Sequence, residues 1–343
     1  MSSALNILLF SLFEDLSTKE TILFGIFGFF ILVFLVLDLG ILNKQAHAIS
    51  TKSALYQSIF WVTVSTVFGG VIYFYGPYEH LEGGAKVVLQ GADAAVLYFS
   101  TYLTEYALSV DNIFVILLIL KYFQVKDEYY HKILFWGILG AIVFRAVFIF
   151  VGALLIHQFE WLLYAFGVFL IYSGVRIYFE DGDEKIEPEK NPIMRFCRRY
   201  LPLTKQEHGA NFMVRENGKI RFTPLFLVIV LIETTDLLFA VDSIPAAFAI
   251  TKNPFLIYTS NIFAVLGLRA MFFLLAGIID KFYLLQKGLS IILFFIGAKM
   301  LLEIVDYKVD VYMSFAVIIA TLTLSIILSV LVPRKGDQEE EGA

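Results

Sequence analysis

About nine apolar segments of roughly 20 residues dominate the sequence, and this is the length that an α-helix needs to cross a bilayer. Backbone N–H and C=O groups in lipid must bond within the chain, so each segment is predicted to be a transmembrane helix. The composition agrees, because 59% of the 343 residues are hydrophobic and only 17% are charged. The predicted fold class is therefore an all-α polytopic membrane protein. The candidate spans are 21–42, 55–75, 96–120, 133–156, 161–179, 224–250, 255–279, 283–302 and 309–332.

The loops on alternate sides of these spans differ strongly in their content of Lys and Arg. Most of these cations fall on the side that would hold the long central loop. Because cytoplasmic loops carry the excess of Lys and Arg, the N-terminus is predicted to lie outside and the C-terminus in the cytoplasm. The first 20 residues lack the basic start and the cleavage site of a signal peptide, so an interfacial segment is favoured over a cleaved leader.

An internal repeat relates two parts of the chain. The segment "TEYALSVDNI" matches "TDLLFAVDSI", and further along "FRAVF" matches "LRAMF" and "GVRIYFE" matches "GAKMLLE", in the same order. These matches predict a duplication of three spans, at 96–180 and 224–303. Because three crossings are an odd number, the second copy must start from the opposite side. This predicts an inverted 3+3 helix repeat, as in many secondary transporters.

The repeat divides the chain into five predicted parts. They are the N-terminal segment with two peripheral transmembrane helices (1–95), the first three-helix repeat (96–180), a cytoplasmic loop (181–223), the second three-helix repeat (224–303), and the last transmembrane helix with an acidic tail (304–343). In the loop, "IMRFCRRYL" is typical of a short basic helix at the membrane surface, and "NFMVRENGKIRF" predicts a β-hairpin around Asn217-Gly218. A small cap or linker is favoured over a regulatory ligand domain.

Both copies carry acidic residues next to an amide or hydroxyl residue inside apolar spans. At 100° per residue, Glu105 and Asn112 lie within about 20° of each other on a helix, and Asp111 projects about 100° to one side. The matching residues of the second copy are Asp236, Ser243 and Asp242. Glu233 adds a carboxyl group on the same side of its helix as Asp236. The inverted pairing could bring the two sets face to face.

Carboxylates in a membrane span are costly and usually functional. Pro245 lacks an N–H and crowds the preceding turn, so the helix is predicted to kink and to free the carbonyl group of Val241. Carboxylate, amide, hydroxyl and carbonyl oxygens suit hard divalent cations such as Mn²⁺ or Ca²⁺. The predicted metal ligands are Asp111, Asp242, Glu105, Asp236, Asn112, Ser243 and the carbonyl group of Val241.

Ion pairing within the bundle is the structural alternative. Arg145 and Arg269 recur in the duplication, and together with Arg176 and Lys299 they could neutralise the acids. The acids nevertheless outnumber the arginines in the middle of the spans, and surplus buried negative charge favours a bound cation or protons. Glu233, Arg145 and Arg269 are therefore predicted to take part in proton coupling or to support the metal ligands.

Other functional classes find little support in the sequence. No Ser-His-Asp order, HExxH helix or phosphate-binding Gly loop is present, so an enzyme is not predicted. The chain has one cysteine, Cys197, which excludes an intrachain disulfide. Neither an organic cofactor nor a nucleic-acid partner is predicted.

The sequence resembles the TerC family of integral membrane proteins, and in particular its Alx-like branch. The resemblance rests on "LDLG" with "AHAIS", "SVDNIF", "ILGAIVFRAVFIF", "FMVRENG" followed by "TPL", "FAVDSIPAAFAIT" and "TSNIFAVLGLRAMFFLLAG". It covers roughly residues 30 to 332, and "FAVDSIPA" and "SNIFAVLGLRAM" are its most specific parts. The first 20 residues, the charged part of the central loop and the acidic tail depart from the family pattern.

The resemblance implies a multi-pass protein of the bacterial inner membrane. Members of the family are associated with export of Mn²⁺ from the cytoplasm, with metal supply to secreted proteins and, by name, with tellurite resistance. Tellurite is an anion and fits poorly with carboxylates, so the resemblance favours export of a metal cation over direct handling of tellurite. It implies that the family's acidic positions are Glu105, Asp111, Glu233, Asp236 and Asp242.

Residues and resemblance together predict a Mn²⁺ exporter that works by alternating access in the lipid bilayer, with proton exchange as a hypothesis for coupling. A Ca²⁺ or other divalent-cation/proton antiporter is an alternative. A second alternative is a membrane partner that holds metal for secreted proteins, in contact with the secretion machinery, without transporting it. The oligomeric state is left open between a monomer and a homo-oligomer.

Overall fold

A computed structural model describes most of the chain. The described residues are 18–40, 51–82, 85–159, 161–179, 197, 199–204, 209, 211–216, 218–275, 283–305, 307 and 309–331. Some side chains within these ranges, among them that of Asp111, are not described. The N-terminal segment, most of the predicted basic helix of the central loop and the acidic tail also lie outside the described residues.

The described part of the chain is mostly helical, which confirms an all-α polytopic membrane protein. The helices are α1 (Thr18–Gly40), α2 (Thr51–Tyr75), α3 (Gly91–Tyr122), α4 (Asp127–Gln158), α5 (Trp161–Phe179), α6 (Pro224–Ile250), α7 (Pro254–Leu275), α8 (Tyr283–Leu302) and α9 (Val311–Leu331). Seven of them are long and apolar enough to cross a membrane, and α1 and α3 are the two that are not counted among these seven. Nine membrane crossings therefore stay a prediction.

Local sequence signals fix where several helices begin. Helix α6 begins at Pro224, whose missing N–H costs nothing in the first turn of a helix. Just before α7, the side chain of Asn253 caps the helix, because its Oδ1 accepts hydrogen bonds from the backbone N–H groups of Phe255 and Leu256 over 3.0 and 3.1 Å. Asp127 and Glu128 lie in the first turn of α4, where carboxylates interact favourably with the helix dipole.

Helix α7 lies at the centre of the bundle. Within its membrane-span segment 89% of residues are buried, whereas 17% are buried in the corresponding segment of α9. It packs against α1, α2, α3 and α4. The core of the protein is therefore built around α7, and the outer helices expose their apolar side chains toward lipid.

Helices α5 and α8 form the most extensive helix pair, and glycines let them approach closely. A Cβ atom at Gly174 would lie 2.7 Å from the carbonyl oxygen of Ser290, and one at Gly297 would lie 2.6 Å from the carbonyl oxygen of Gly167. As the residue number rises on α5 it falls on α8, so the two helices run antiparallel. In the repeat, Gly174 corresponds to Gly297, and Gly167 corresponds to Ser290. The contact of Gly174 with Ser290 therefore corresponds, in the repeat, to the contact of Gly297 with Gly167.

The other helix pairs that would correspond in the repeat are also both in contact. If α3, α4 and α5 correspond to α6, α7 and α8, the packing of α3 on α7 corresponds to that of α6 on α4, and both pairs are in contact. The packing of α5 on α6 corresponds to that of α8 on α3, and both of these contacts also exist. An inverted repeat requires such a pattern, although the inversion itself stays a prediction.

Two β-hairpins accompany the helices. The hairpin predicted around Asn217-Gly218 is present, because β3 (Met213–Glu216) pairs antiparallel with β4 (Lys219–Phe222) and Gly218 has a φ of 76°. The sequence analysis missed the other hairpin, in which β1 (Tyr78–Glu82) pairs with β2 (Ala85–Leu89). The adjacent Gly83 and Gly84 between two strand-like segments are a hairpin signal that could have revealed it.

Candidate cation site within the helix bundle

The guanidinium group of Arg145 on α4 is the centre of a buried polar cluster. Arg145 has 0% of its surface exposed. It pairs with Glu105 of α3, and its Nη2 and Nε donate to the two carboxylate oxygens of Asp236 of α6 over 3.2 and 3.5 Å. Its Nη1 also donates to Oδ1 of Asn261 of α7 over 2.9 Å. One guanidinium group thus links four helices.

This Arg145 cluster lies near the middle of its helices, since Arg145, Glu105 and Asp236 are each roughly equidistant from the two ends of α4, α3 and α6. Charges at such depth cannot be solvated by bulk water and must find partners within the protein. The planar fork of an arginine offers five N–H donors, which suits several acceptors at once. The part of the acid set that meets Arg145 is therefore held as a network of ion pairs.

A third carboxylate, that of Glu233, lies beside the Arg145 cluster. Its buried Oε2 has no hydrogen-bond partner among the described residues. Gly140 of α4 makes room for this carboxylate, because a Cβ atom at position 140 would collide with it. Glu233 lies one helical turn before Asp236, close enough for the two carboxylates to repel each other. When all are ionised, the carboxylates of this region outnumber the single guanidinium group.

Asp242 lies apart from the Arg145 cluster and faces α5. Its Oδ1 accepts a hydrogen bond from Oγ of Ser173 over 3.0 Å, and Arg176 lies near enough to stabilise its negative charge. At 100° per residue, Asp242 is turned about 120° around α6 from Asp236, which explains why the two acids have different neighbours. Asp242 is only partly buried.

The directions of the helices decide which predicted residues can meet. Gly140 of α4 approaches Glu233 of α6, and further along the same helices Gly152 approaches Phe248, so α4 and α6 run in the same direction. Only residues 123–126 connect α3 to α4, so these two helices run in opposite directions. Because α4 and α6 run in the same direction, α3 is also antiparallel to α6. Residues that follow Glu105 on α3 and residues that follow Asp236 on α6 therefore lie on opposite sides of the Arg145 cluster.

This divergence separates the two predicted aspartates. Glu105 and Asp236 meet at Arg145 and mark one level of the bundle. Asp111 follows Glu105 on α3, and Asp242 follows Asp236 on α6, at the same spacing. At 1.5 Å per residue in opposite directions, positions 111 and 242 are about 18 Å apart along the helices. The structure thus brings Glu105 and Asp236 together, but it does not bring position 111 to the level of Asp242.

Two other predicted ligands, Asn112 and Ser243, are buried with 4% and 3% of their surfaces exposed. Neither Oδ1 of Asn112 nor Oγ of Ser243 has a hydrogen-bond partner among the described residues. The two residues occupy matching positions in the repeat, and each directly follows an aspartate. Because an unsatisfied buried oxygen is costly, each of them is suited to a bound water or cation.

The remaining predicted residues give less information. Arg269 lines a narrow cavity together with Phe34 and Trp61, so its predicted support of the ligands stays a prediction. The side chain of Val241 is 48% exposed, and α6 is assigned as helix through Pro245, so the freed Val241 carbonyl also stays a prediction. The side chain of Asp111 is not described. Among the described side chains, no group of three His, Cys, Asp or Glu residues forms a metal-binding cluster.

The structure adds polar partners that the sequence analysis did not select. Asn261 joins the Arg145 cluster, and Ser173 bonds to Asp242. Both are uncharged polar residues within apolar spans. Their signal in the sequence was their polarity at that depth, which is weaker than that of a carboxylate because hydroxyl and amide groups are common in membrane helices.

Comparisons with known proteins agree on one family. The model described as "Integral membrane protein TerC family" matches residues 90–337. The "Putative membrane-bound redox modulator Alx" of Salmonella typhi is 43% identical over 321 residues, covering 93% of this chain and 97% of that protein. The protein of the same name in Escherichia coli strain K12 is 42% identical over 324 residues, covering 94% and 98% of the two chains. An uncharacterized membrane protein of Myxococcus xanthus is 42% identical over 316 residues, covering 92% and 93%. No solved structure matches.

The family match includes both copies of the internal repeat and the whole Arg145 cluster. It covers well over half of the chain, and the relatives align along nearly their full lengths. The chain therefore belongs to the TerC family of integral membrane proteins.

Proposed function

We propose that the protein exports a divalent metal cation from the bacterial cytoplasm across the inner membrane, with Mn²⁺ as its principal substrate. The observation that carries this proposal is the pair of buried, unpartnered oxygens of Asn112 and Ser243, each next to an aspartate inside the apolar bundle. Amide, hydroxyl and carboxylate oxygens are the ligands of hard divalent cations. The neighbouring aspartates, Asp111 beside Asn112 and Asp242 beside Ser243, would supply negative charge.

Surplus negative charge gives further support. Arg145 compensates part of the charge of Glu105 and Asp236, and Glu233 adds another carboxylate beside them. A net negative region in the middle of a helix bundle lowers the free energy of a cation that enters from either side. It also offers a place where protons can bind when no cation is present.

Export needs an energy source. Moving two positive charges outward against an inside-negative potential costs about 4.6 kcal/mol per 100 mV. We propose exchange with protons, carried by Glu233, because its buried Oε2 has no hydrogen-bond partner among the described residues while Glu105 and Asp236 are held by Arg145. The variant Glu233→Gln is expected to bind Mn²⁺ but to lose the dependence of flux on a pH gradient. Flux of this variant that still follows the gradient would remove Glu233 from the mechanism.

Alternating access is supported by the contacts of α5 and α8. Helices that correspond in the repeat pack antiparallel here, and their close contacts at Gly174 and Gly297 are exchanged by the repeat. Such a relation suits an inverted repeat in which one three-helix unit rocks against the other. In the proposed orientation the N-terminus is outside and Asp111 lies nearer the cytoplasm than Asp242.

Uptake of Mn²⁺ into inverted membrane vesicles tests the proposed function. The variants Asp111→Asn and Asp242→Asn are expected to reduce flux at least tenfold at normal membrane abundance. Asp93→Asn is the matched control, because Asp93 lies in the first turn of α3 and bonds to Tyr312 at the edge of the bundle. Loss of abundance instead of flux would mean that the acids only stabilise the fold.

The same assay separates the rival functions. Ca²⁺ that competes equally with Mn²⁺ would favour a Ca²⁺ or general divalent-cation/proton antiporter. Binding without flux in liposomes would favour a partner that holds metal for secreted proteins at the secretion machinery. The name of the Alx relatives refers to redox modulation, but this chain has a single cysteine and cannot form an intrachain dithiol pair.

A further inference from the structure

We infer that the protein holds two separate cation sites, one in each repeat, on opposite sides of the Arg145 cluster. The first site is built around Asp111 and Asn112 on α3, and the second around Asp242 and Ser243 on α6. This inference rests on the proposed function and refines it. The sequence pattern suggested one site shared by both aspartates, whereas two separate sites are inferred here.

The first step is the position of the repeat axis. Two residues that correspond in an inverted repeat lie close enough to touch one partner only near its two-fold axis. Glu105 and Asp236 correspond in the repeat, and both bind the guanidinium group of Arg145. The axis therefore passes through the Arg145 cluster, where corresponding residues converge.

The second step is the divergence beyond that point. Positions 111 and 242 lie about 18 Å apart along two helices that run in opposite directions. Oxygen ligands lie 2.0–2.6 Å from Mg²⁺ or Ca²⁺, so two oxygens on one ion are at most about 5 Å apart. One ion cannot bridge the two positions in this arrangement.

The third step is that each position has its own oxygen-bearing neighbours. The carboxylate of Asp242 bonds to the hydroxyl group of Ser173 over 3.0 Å, and the next residue of α6, Ser243, has a buried Oγ without a partner among the described residues. Beside position 111 the buried amide oxygen of Asn112 is likewise unpartnered among the described residues. Two matching residues of the repeat thus each present an unsatisfied oxygen next to an aspartate.

The centre between the two sites is unsuited to a metal ion. The guanidinium group of Arg145 occupies it, is fully buried and already uses the oxygens of Glu105, Asp236 and Asn261. A divalent cation there would compete with a fixed positive charge. In the proposed orientation the cation is taken up at Asp111, nearer the cytoplasm, and is released from Asp242, nearer the outside.

Counting bound Mn²⁺ on the purified full chain tests this inference. Equilibrium dialysis against Mn²⁺, with free ion measured by electron paramagnetic resonance, is expected to give two ions per chain. Asp111→Asn and Asp242→Asn should each give one ion per chain, and the double variant none. Asp93→Asn, the same chemical change in the first turn of α3, should retain two.

Each outcome has a distinct meaning. One ion per wild-type chain, lost in both single variants, would overturn the two-site arrangement and leave the proposed function standing. No bound ion in the wild-type chain would overturn the proposed function itself. The wild-type stoichiometry decides the inference even if a variant fails to fold, and thermal unfolding of each variant identifies such a failure.

Discussion

Removing the charge of Arg145 is expected to reveal how much of the fold depends on the Arg145 cluster. Arg145→Met keeps an unbranched side chain of similar length, but it leaves Glu105 and Asp236 without their shared cation. Removing one partner of a buried ion pair costs about 3–5 kcal/mol, because the other charge stays buried and uncompensated. The free energy of unfolding of Arg145→Met is therefore expected to fall by about 3–5 kcal/mol.

The size of this loss should depend on the two acids. In the triple variant Arg145→Met, Glu105→Gln and Asp236→Asn the two acids that Arg145 binds are neutral as well, so most of the lost stability is expected to return. Apolar or neutral replacements of buried ion pairs are often neutral or stabilising. The assay is unfolding in mixed micelles with increasing sodium dodecyl sulfate, with mutations combined in a cycle so that the coupling free energy is measured directly.

An exposed arginine provides the control for this experiment. Arg215 lies on β3, and its Nε bonds only weakly to the carbonyl oxygen of Gly218, over 3.4 Å. Arg215→Met is expected to change the free energy of unfolding by less than about 0.5 kcal/mol, as is usual at surface positions. A triple variant no more stable than Arg145→Met alone would refute the charge-compensation argument, since the acids would then not be the reason for the loss.

Three further predictions test other parts of the structure. Gly297→Val should lower the free energy of unfolding by about 1–3 kcal/mol, because the new side chain meets the backbone of α5. Gly28→Val is the control and should change this free energy little, because the space around Gly28 is open. Unfolding in micelles measures both variants. Asn253→Ala should cost about 1–2 kcal/mol through loss of the α7 cap and of the 3.0 Å bond to buried Glu20, measured the same way, and an unchanged stability would contradict the cap. Burial raises the pKa of the Cys197 thiol, so at neutral pH less thiolate forms and labelling with iodoacetamide should be slow until the protein is denatured. Rapid labelling of the folded protein would show that this thiol is accessible.

The predictions from sequence succeeded where one local property decides the outcome. The span predicted at 161–179 coincides with α5 (Trp161–Phe179), because the length of an apolar segment determines a helix in lipid almost by itself. The hairpin at Asn217-Gly218 followed from the special backbone conformation that its turn requires. The β1–β2 hairpin was missed, although Gly83-Gly84 carried a signal of the same kind.

The sequence could predict which residues belong to the candidate site, but not how they are arranged in space. The repeat identified which residues correspond, but correspondence does not give distance. Glu105 and Asp236 meet at Arg145, and in the predicted inverted repeat corresponding residues would separate with every turn away from such a meeting point. The position of such an axis depends on how helices pack, and a single sequence does not contain it. For the same reason, Ser173 and Asn261 became visible only as neighbours in space.

The central position of α7 has a consequence for how the protein is made. Its span has a mean hydropathy of 1.5, against 2.5 for the α9 span, and buried Thr259, Ser260 and Asn261 follow one another within it. A helix of this kind gains less from lipid than from its protein neighbours. Helices α1 to α4, against which α7 packs, are synthesised before α7 leaves the ribosome. We expect α7 to be retained in the bilayer by these earlier helices, so truncated chains that lack them should insert it poorly.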